Sequence, residues 1–128
     1  LMILLIALCG GLVHGQTYST RSKKAIKLFD QAVLLYQQKD PEGAEEVLNK
    51  AISRDEKFVE AYGLLAQISL EAGREDEAIA YYSKTLEIDP EGNPDGYRIL
   101  AGLVIRTGDY DRCLFLLEKC WHHLQSFG

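Results

Sequence analysis

Two adjacent histidines near the end of the chain are the residues whose type points most directly to metal chemistry. On a helix, His122 and His123 would point about 100° apart, because a helix turns once every ~3.6 residues. A helical metal site instead places its two histidines four residues apart, on one face. We therefore expect no metal at this pair, with one ring in a helix interface and the other in solvent.

Acidic and amide side chains alternate from residue 89 to residue 93, as they do at the start of a calcium-binding loop. That loop needs Gly at its sixth position and Glu at its twelfth, and this chain has Pro94 and Leu100 there. We interpret the segment as a linker. The acidic run at 75–77 is interpreted as the start of a helix, where negative charge is favourable.

The cysteines and the known catalytic motifs offer no better candidate for an active site. On one helix, the Cα atoms of Cys113 and Cys120 would be about 10 Å apart, beyond the roughly 7 Å limit for a disulfide. Both are therefore predicted to be small buried side chains. The sequence contains no Gly-rich phosphate loop and no G-x-S-x-G elbow. It predicts a protein that is not an enzyme and that uses no cofactor, metal or small-molecule substrate.

The composition fits one globular domain without a nucleic-acid role. The chain has 128 residues, of which 47% are hydrophobic, and its net charge is −5. This is enough apolar material for a core, whereas a duplex-binding module usually carries a basic stripe. One short basic cluster is interpreted as the solvated first turn of a helix. It comprises Arg21, Lys23, Lys24 and Lys27.

Residues 1–15 have the length and apolar character of a secretory leader. The apolar run is too short to span a bilayer, which takes about 20 residues. Val13 and Gly15 lie where signal peptidase requires small side chains, which predicts a mature N-terminus at Gln16. Lipid attachment at Cys9 is the alternative, although Leu8 stands where that motif requires a small residue.

Self-similarity at a fixed spacing is the strongest pattern in the sequence. In residues 61–90, apolar and small residues recur at helical spacing in two runs, which Gly73 separates. Gly73 can adopt the positive φ that ends a helix, and Pro90 cannot continue one. The segment is therefore predicted to be a helix, a tight turn and a second helix.

The same pattern recurs on both sides of this segment. The turn is assigned to Asp40 and Pro41 in the preceding unit and to Gly108 in the following one. In each unit, small residues on the two helices are predicted to face each other, because larger side chains would push the helices apart. These pairs are Ala32 with Ala44, Ala66 with Ala78, and Ala101 with Cys113. Leu48, Leu117 and Cys120 are also assigned to the packed side of the second helices.

Six residues of the middle unit lie at the spacing of a known helical repeat: Tyr62, Leu65, Ala66, Ala78, Tyr82 and Pro90. This unit resembles the tetratricopeptide repeat family, and the resemblance extends over about residues 25–127. It departs at Ser69, where the family has a large aromatic residue. The resemblance implies an all-α, right-handed α-solenoid of three helix-turn-helix units. The expected divisions are a signal peptide (1–15), an N-terminal extension (16–24) and units at 25–58, 59–92 and 93–128, the last without a capping helix.

The resemblance also implies a concave face, lined by the first helix of each unit, that binds a protein or peptide. The residues assigned to this face are Phe29, Val33, Tyr36, Gln37, Gln67, Leu70, Glu71, Arg98, Ile105 and Arg106, with Glu60 and Asp95 beside them. Such a groove suits an extended or helical peptide. The alternative for Phe29, Val33 and Tyr36 is packing against the N-terminal segment 16–24.

One subclass of this family holds the C-terminal carboxylate of chaperones with Lys, Asn and Arg side chains. The corresponding positions in this chain are Phe29, Val33, Leu64, Asp95 and Ile99. None of these side chains can hold a carboxylate. We therefore do not expect chaperone tails to be the partner.

The second helix of the third unit carries apolar residues for which the sequence supplies no covering helix. Leu114, Leu117, Trp121 and Leu124 are predicted as a docking end. We expect the polypeptide to continue past Gly128 into further domains; a docked partner and dimerisation are the alternatives.

The leader followed by a short array resembles the N-terminal part of larger Gram-negative envelope proteins. In those proteins the repeats precede a β-propeller and a peptidoglycan-binding domain of the outer-membrane type. The resemblance implies a protein-binding scaffold, exported to the periplasm or outer membrane, in an outer-membrane or secretion assembly. The alternative is a structural spacer or self-association module that uses the helix around Trp121.

Overall fold

The computed structural model describes residues 17–126 of the chain, with the backbone alone at Pro94. The predicted leader at 1–15, the lipid site at Cys9 and the start at Gln16 lie outside the described residues. The same holds for the last two residues of the third unit.

Within the described range, six α-helices follow one another and no strand occurs. The helices are α1 (Lys23–Gln37), α2 (Pro41–Arg54), α3 (Val59–Glu71), α4 (Glu75–Ile88), α5 (Pro94–Val104) and α6 (Tyr110–Ser126). One 3₁₀ turn (Ile105–Thr107) follows α5. The predicted all-α solenoid is therefore confirmed.

Four of the helices begin at a side chain that caps them. The side chains of four residues each accept a hydrogen bond from the backbone amide three residues later: Ser22, Asp40, Asn93 and Asp109, at 3.2, 2.9, 3.0 and 3.1 Å. This satisfies one of the amides that a helix start leaves without an intrahelical partner. Pro41 and Pro94 follow two of these caps, where a missing amide hydrogen costs nothing.

The turn inside each unit contains one residue in the left-handed backbone region. These residues are Lys39, Gly73 and Gly108, with φ of 65°, 76° and 81°. The predicted turns at Gly73 and Gly108 are thus confirmed. In the first unit the left-handed residue is Lys39, which the sequence did not indicate, because a side chain with a Cβ is disfavoured there.

The helices pack in sequential pairs, α1 with α2, α3 with α4, and α5 with α6, and the pairs stack through α2–α3 and α4–α5. All six small residues predicted at the helix crossings are buried. In the third unit, the Cys113 thiol donates to the Ala101 carbonyl at 3.6 Å, so these two residues face each other as predicted. Cys113 and Cys120 are both free thiols.

Two clusters of buried side chains form the core, one around α1, α2 and α3 and the other around α4, α5 and α6. Phe58, in the turn between α2 and α3, is the largest fully buried side chain. Thr85 is buried and donates to the Tyr82 carbonyl at 2.7 Å, so its hydroxyl needs no other partner. Ser69 is also buried, and its hydroxyl has no hydrogen-bond partner in the described part of the chain.

Among the described residues, no helix combines the length and the apolar character that crossing a membrane requires.

Replacing Ala78 by leucine tests the close crossing of α3 and α4. Ala78 is completely buried, so a larger side chain forces the helices apart, and we expect the free energy of unfolding to fall by about 1–3 kcal/mol. Ala80 lies on the exposed side of the same helix, and Ala80→Leu is the matched control. Chemical denaturation followed by circular dichroism measures both variants. Equal stability of the two variants would contradict the crossing.

Candidate functional site

The candidate binding surface, here called the inner face, consists of the predicted lining residues on α1, α3, α5 and the 3₁₀ turn. Five of the ten are exposed: Gln37, Glu71, Arg98, Ile105 and Arg106. Four are partly buried: Val33, Tyr36, Gln67 and Leu70. Only Phe29 is buried, with 7% of its surface exposed. Nine of the ten therefore present at least part of their side chain to solvent.

A hydrogen-bond network joins the first two units on this face. The Tyr36 hydroxyl donates to the Glu71 carboxylate at 2.7 Å, and the Gln67 amide donates to the same oxygen at 2.7 Å. The bonds from Gln67 and Tyr36 lower the pKa of Glu71. Burial and the bond to Glu71 raise the pKa of Tyr36 to about 12. Both side chains are therefore held in one geometry, with Glu71 ionised and Tyr36 neutral at pH 7.

The charges of the third unit pair with acidic groups of the same chain. Arg106 forms an ion pair with Glu75, at the start of α4. Arg98 lies 3.6 Å from the Asp95 carboxylate, one turn earlier on α5. Ile105, in the 3₁₀ turn, keeps 50% of its surface exposed. This end of the inner face thus presents an aliphatic side chain beside arginines whose charge is partly balanced.

Phe29 does not belong to the exposed lining, and its assignment to the peptide-binding surface is corrected. Its ring packs against Tyr18 and Phe58, with centroid distances of 5.7 and 5.3 Å. Tyr18 lies in the segment before α1, so the alternative of packing against the N-terminal segment holds for Phe29. Val33 and Tyr36 pack beside the first core cluster and remain partly exposed.

A second exposed surface, here called the α6 face, consists of the four residues of the predicted docking end together with Tyr110. Leu114, Leu117, Trp121 and Leu124 are 61%, 45%, 60% and 61% exposed. The assignment of Leu117 to the packed side of its helix is therefore wrong, because Leu116 takes that position. Tyr110 and Phe115 are also exposed, and the sequence reasoning missed them. Extending the three- and four-residue spacing back from Leu114 would have found Tyr110.

The histidine pair is divided as predicted. His123 is buried and its Nδ1 lies 3.2 Å from the Glu91 carboxylate, whereas His122 is exposed. Across residues 17–126, no three His, Cys, Asp or Glu side chains are grouped so that they could hold a metal ion.

Two family models match the sequence, and each is described as a tetratricopeptide repeat. One matches residues 29–93, which is just over half of the 128 residues, and the other matches residues 69–124. No curated protein matches the sequence.

The fold is similar to several solved structures. Two crystal structures of MamA superpose with TM-scores of 0.72 and 0.69 at 20% sequence identity. Each covers 80% of this chain, which spans 60% and 55% of those chains. The TPR2B-domain:pHsp70 complex of yeast Sti1 gives a TM-score of 0.66 at 22% identity, covering 80% of this chain and 81% of that one. At such identities the similarity concerns the fold alone.

Replacing Tyr36 by phenylalanine tests the network on the inner face. Glu71 loses one of its two donors, so we expect its pKa to rise towards that of an unperturbed glutamate. A lowered carboxyl pKa stabilises the fold above the unfolded-state value of about 4.3, and the stabilisation is lost as pH falls through the folded-state pKa. The difference in unfolding free energy between wild type and variant should therefore shrink as pH falls below the folded-state pKa of Glu71. Carbon-detected NMR titration of the carboxyl groups measures the pKa.

The control for this experiment is Tyr62→Phe. The Tyr62 hydroxyl donates to the Glu56 carbonyl and takes no part in the network. An unchanged Glu71 pKa in Tyr36→Phe, or an equal shift in both variants, would show that the hydroxyl does not hold the carboxylate in solution.

Proposed function

The chain belongs to the tetratricopeptide repeat family, and we propose that it works as a non-catalytic scaffold that binds a protein or peptide along the inner face. One observation carries the proposal. The inner face combines a fixed polar group, Tyr36 with Glu71 and Gln67, with the half-exposed aliphatic side chain of Ile105. Polar groups held in place and apolar anchors are what recognition of a peptide segment requires.

The charges on the inner face favour one kind of partner. Arg98 and Arg106 are already close to acidic groups of the chain. A negatively charged group of a partner therefore gains little electrostatic attraction from them. Contacts through hydrogen bonds and apolar side chains fit this surface better. Yeast Sti1, a structural neighbour, is described in a complex with pHsp70, which supports a protein partner in general.

Chaperone tails are not proposed as the partner of this chain. Two positions at which the family's carboxylate-binding subclass carries polar side chains hold Phe29 and Leu64, and both are buried. A buried apolar side chain offers neither charge nor hydrogen bonds to a carboxylate.

We further propose that the protein is exported to the cell envelope as part of a larger protein or a secretion assembly at the outer membrane. The support for export is the apolar character of residues 1–15. The support for a neighbouring domain is the α6 face, because a group of large apolar side chains exposed together usually marks a contact surface.

Introducing a charge at Ile105 tests the inner face as the binding surface. A photo-crosslinking residue at the exposed position 37 first identifies the partner in the native cells. The affinity of the purified partner is then measured for wild type and Ile105→Asp. We expect Ile105→Asp to weaken binding at least about tenfold, equivalent to about 1.4 kcal/mol, because an exposed aliphatic contact is replaced by a hydrated charge.

The matched control is Leu34→Asp. Leu34 is an aliphatic residue with 57% of its surface exposed, and it lies outside the inner face. Binding should remain at the wild-type level in this variant. Equal weakening in both variants, or in neither, would remove the inner face as the site.

Self-association through the α6 face is a second candidate function. Tyr110, Leu114, Leu117, Trp121 and Leu124 follow a four–three spacing, which forms a continuous seam when two helices pair. The outer side of α1 cannot supply the covering helix in a head-to-tail stack, because it is polar. Lys27, Asp30 and Gln31 stand there at the positions that Ala61, Leu64 and Leu65 take 34 residues later. Pairing of α6 with α6 is therefore the arrangement proposed.

Trp121 gives a direct measurement of this pairing, because it is the only tryptophan in the chain. With increasing protein concentration, we expect its emission to shift to shorter wavelength while the mass from sedimentation equilibrium doubles. Leu117→Gln combined with Leu124→Gln should abolish both changes, and Leu34→Gln should preserve them. A monomer with unchanged emission up to high micromolar concentration would exclude self-association.

A further inference from the structure

We propose that Phe29, Phe58 and Glu60 form a binding site for an extended segment that carries an aromatic residue followed by a hydroxyl residue. In the free protein, Tyr18 and Ser19 of the chain itself occupy this site. The inference rests on the proposed function, because a partner that binds the inner face is what supplies the competing segment.

The aromatic part of the site is built by two elements. Phe29 comes from α1 and Phe58 from the turn before α3, with ring centroids 5.3 Å apart. Tyr18 places its ring edge-on against both, at 5.7 and 6.0 Å and interplanar angles of 70° and 87°. Its hydroxyl donates to the Asp30 carboxylate at 3.1 Å. The site therefore selects a ring of this size with a polar tip, which is the chemistry of tyrosine.

The polar part of the site surrounds Ser19. Its backbone amide donates to one Glu60 oxygen at 2.9 Å, and its hydroxyl donates to the other. The same hydroxyl accepts from the Val59 amide at 3.0 Å. Phe58, at the start of α3, has no side chain that can cap the helix, so Ser19 supplies the cap from a distant part of the sequence. A carboxylate and a free helix amide together select a residue with a backbone amide and a hydroxyl.

The location of the site connects it to the inner face. Glu60 is one of the residues that the family resemblance places beside the concave lining, and Ser19 bonds to it in solvent-accessible surroundings. Tyr18 and Ser19 lie outside regular secondary structure, and Thr20, which is buried, follows them. Tyr18 and Ser19 can therefore leave the site while Thr20 and α1 stay in place. A partner segment that reaches this end of the inner face can then contact the rings of Phe29 and Phe58 and the Glu60 carboxylate.

A peptide added in trans tests this proposal without knowledge of the partner. The probe is a labelled peptide with the sequence of residues 16–22, QTYSTRS, and its binding is measured by fluorescence anisotropy. The unchanged chain is compared with a variant of the same length that carries Tyr18→Ala and Ser19→Ala. We expect the variant to bind the peptide at least about tenfold more tightly, because a site that is open less than a tenth of the time loses affinity by that factor.

Two controls distinguish specific recognition of the peptide from nonspecific binding to an exposed apolar surface. A peptide with alanine in place of its tyrosine should not bind the Tyr18→Ala/Ser19→Ala variant. The tyrosine peptide should bind more weakly to this variant when it also carries Glu60→Gln. If the double variant loses its helical circular dichroism, Ser19→Ala alone replaces it. In addition, excess peptide should shift the NMR signals of Tyr18 in the intact chain towards those of a free tyrosine.

The proposal is overturned if the peptide binds the unchanged chain and the Tyr18→Ala/Ser19→Ala variant with equal affinity, or if it binds neither. These outcomes are independent of the Ile105→Asp experiment, which tests the opposite end of the inner face with the natural partner. The scaffold function can therefore stand if this site fails, and the peptide can bind here even if Ile105 proves unimportant.

Discussion

The close crossing of two helices at small side chains is the constraint on which the rest of this structure depends. Ala66 and Ala78 are fully buried where α3 meets α4, and the other two units repeat the arrangement. At this separation the larger apolar residues on either side interdigitate and exclude water. A single pair still leaves one apolar side uncovered, so the units must stack to complete the core. The inner face is the surface that this stacking leaves open along the first helices.

The residues that depart from the repeat pattern carry the individual properties of this protein. Tyr36 reaches across to Glu71, 35 residues away, and thereby links the first unit to the second on the inner face. Ser19 reaches Glu60, 41 residues away, and caps α3, because Phe58, directly before the helix, has no side chain that can do so. Ser69 is small and fully buried, with a hydroxyl that lacks a partner in the described residues, at a position where the family has a large aromatic residue. The repeat thus determines the arrangement of the helices, and a few side chains that join one unit to the next determine which groups are exposed on the inner face.

The two ends of the stack differ in chemistry. The outer side of α1 carries charged and amide side chains such as Lys27 and Gln31, which water can solvate. The outer side of α6 carries Trp121 and its apolar neighbours, which water solvates poorly. The first end is therefore suited to be a boundary with solvent, and the second is suited to contact another helix.

The sequence by itself determined the helical units, the small residues at their crossings and the turns at Gly73 and Gly108, because these follow from spacing and from local backbone preferences. It also predicted a lining of ten residues, since the repeat places the same positions on the same side of each unit, and nine of them are at least partly exposed. Only the tertiary structure decided that Phe29 is covered by Tyr18 and that Lys39 adopts the left-handed conformation. The physical reason is the range of the interactions. Periodicity is a property of neighbouring residues, whereas burial and the strain accepted in a turn depend on segments that meet only after the units have stacked.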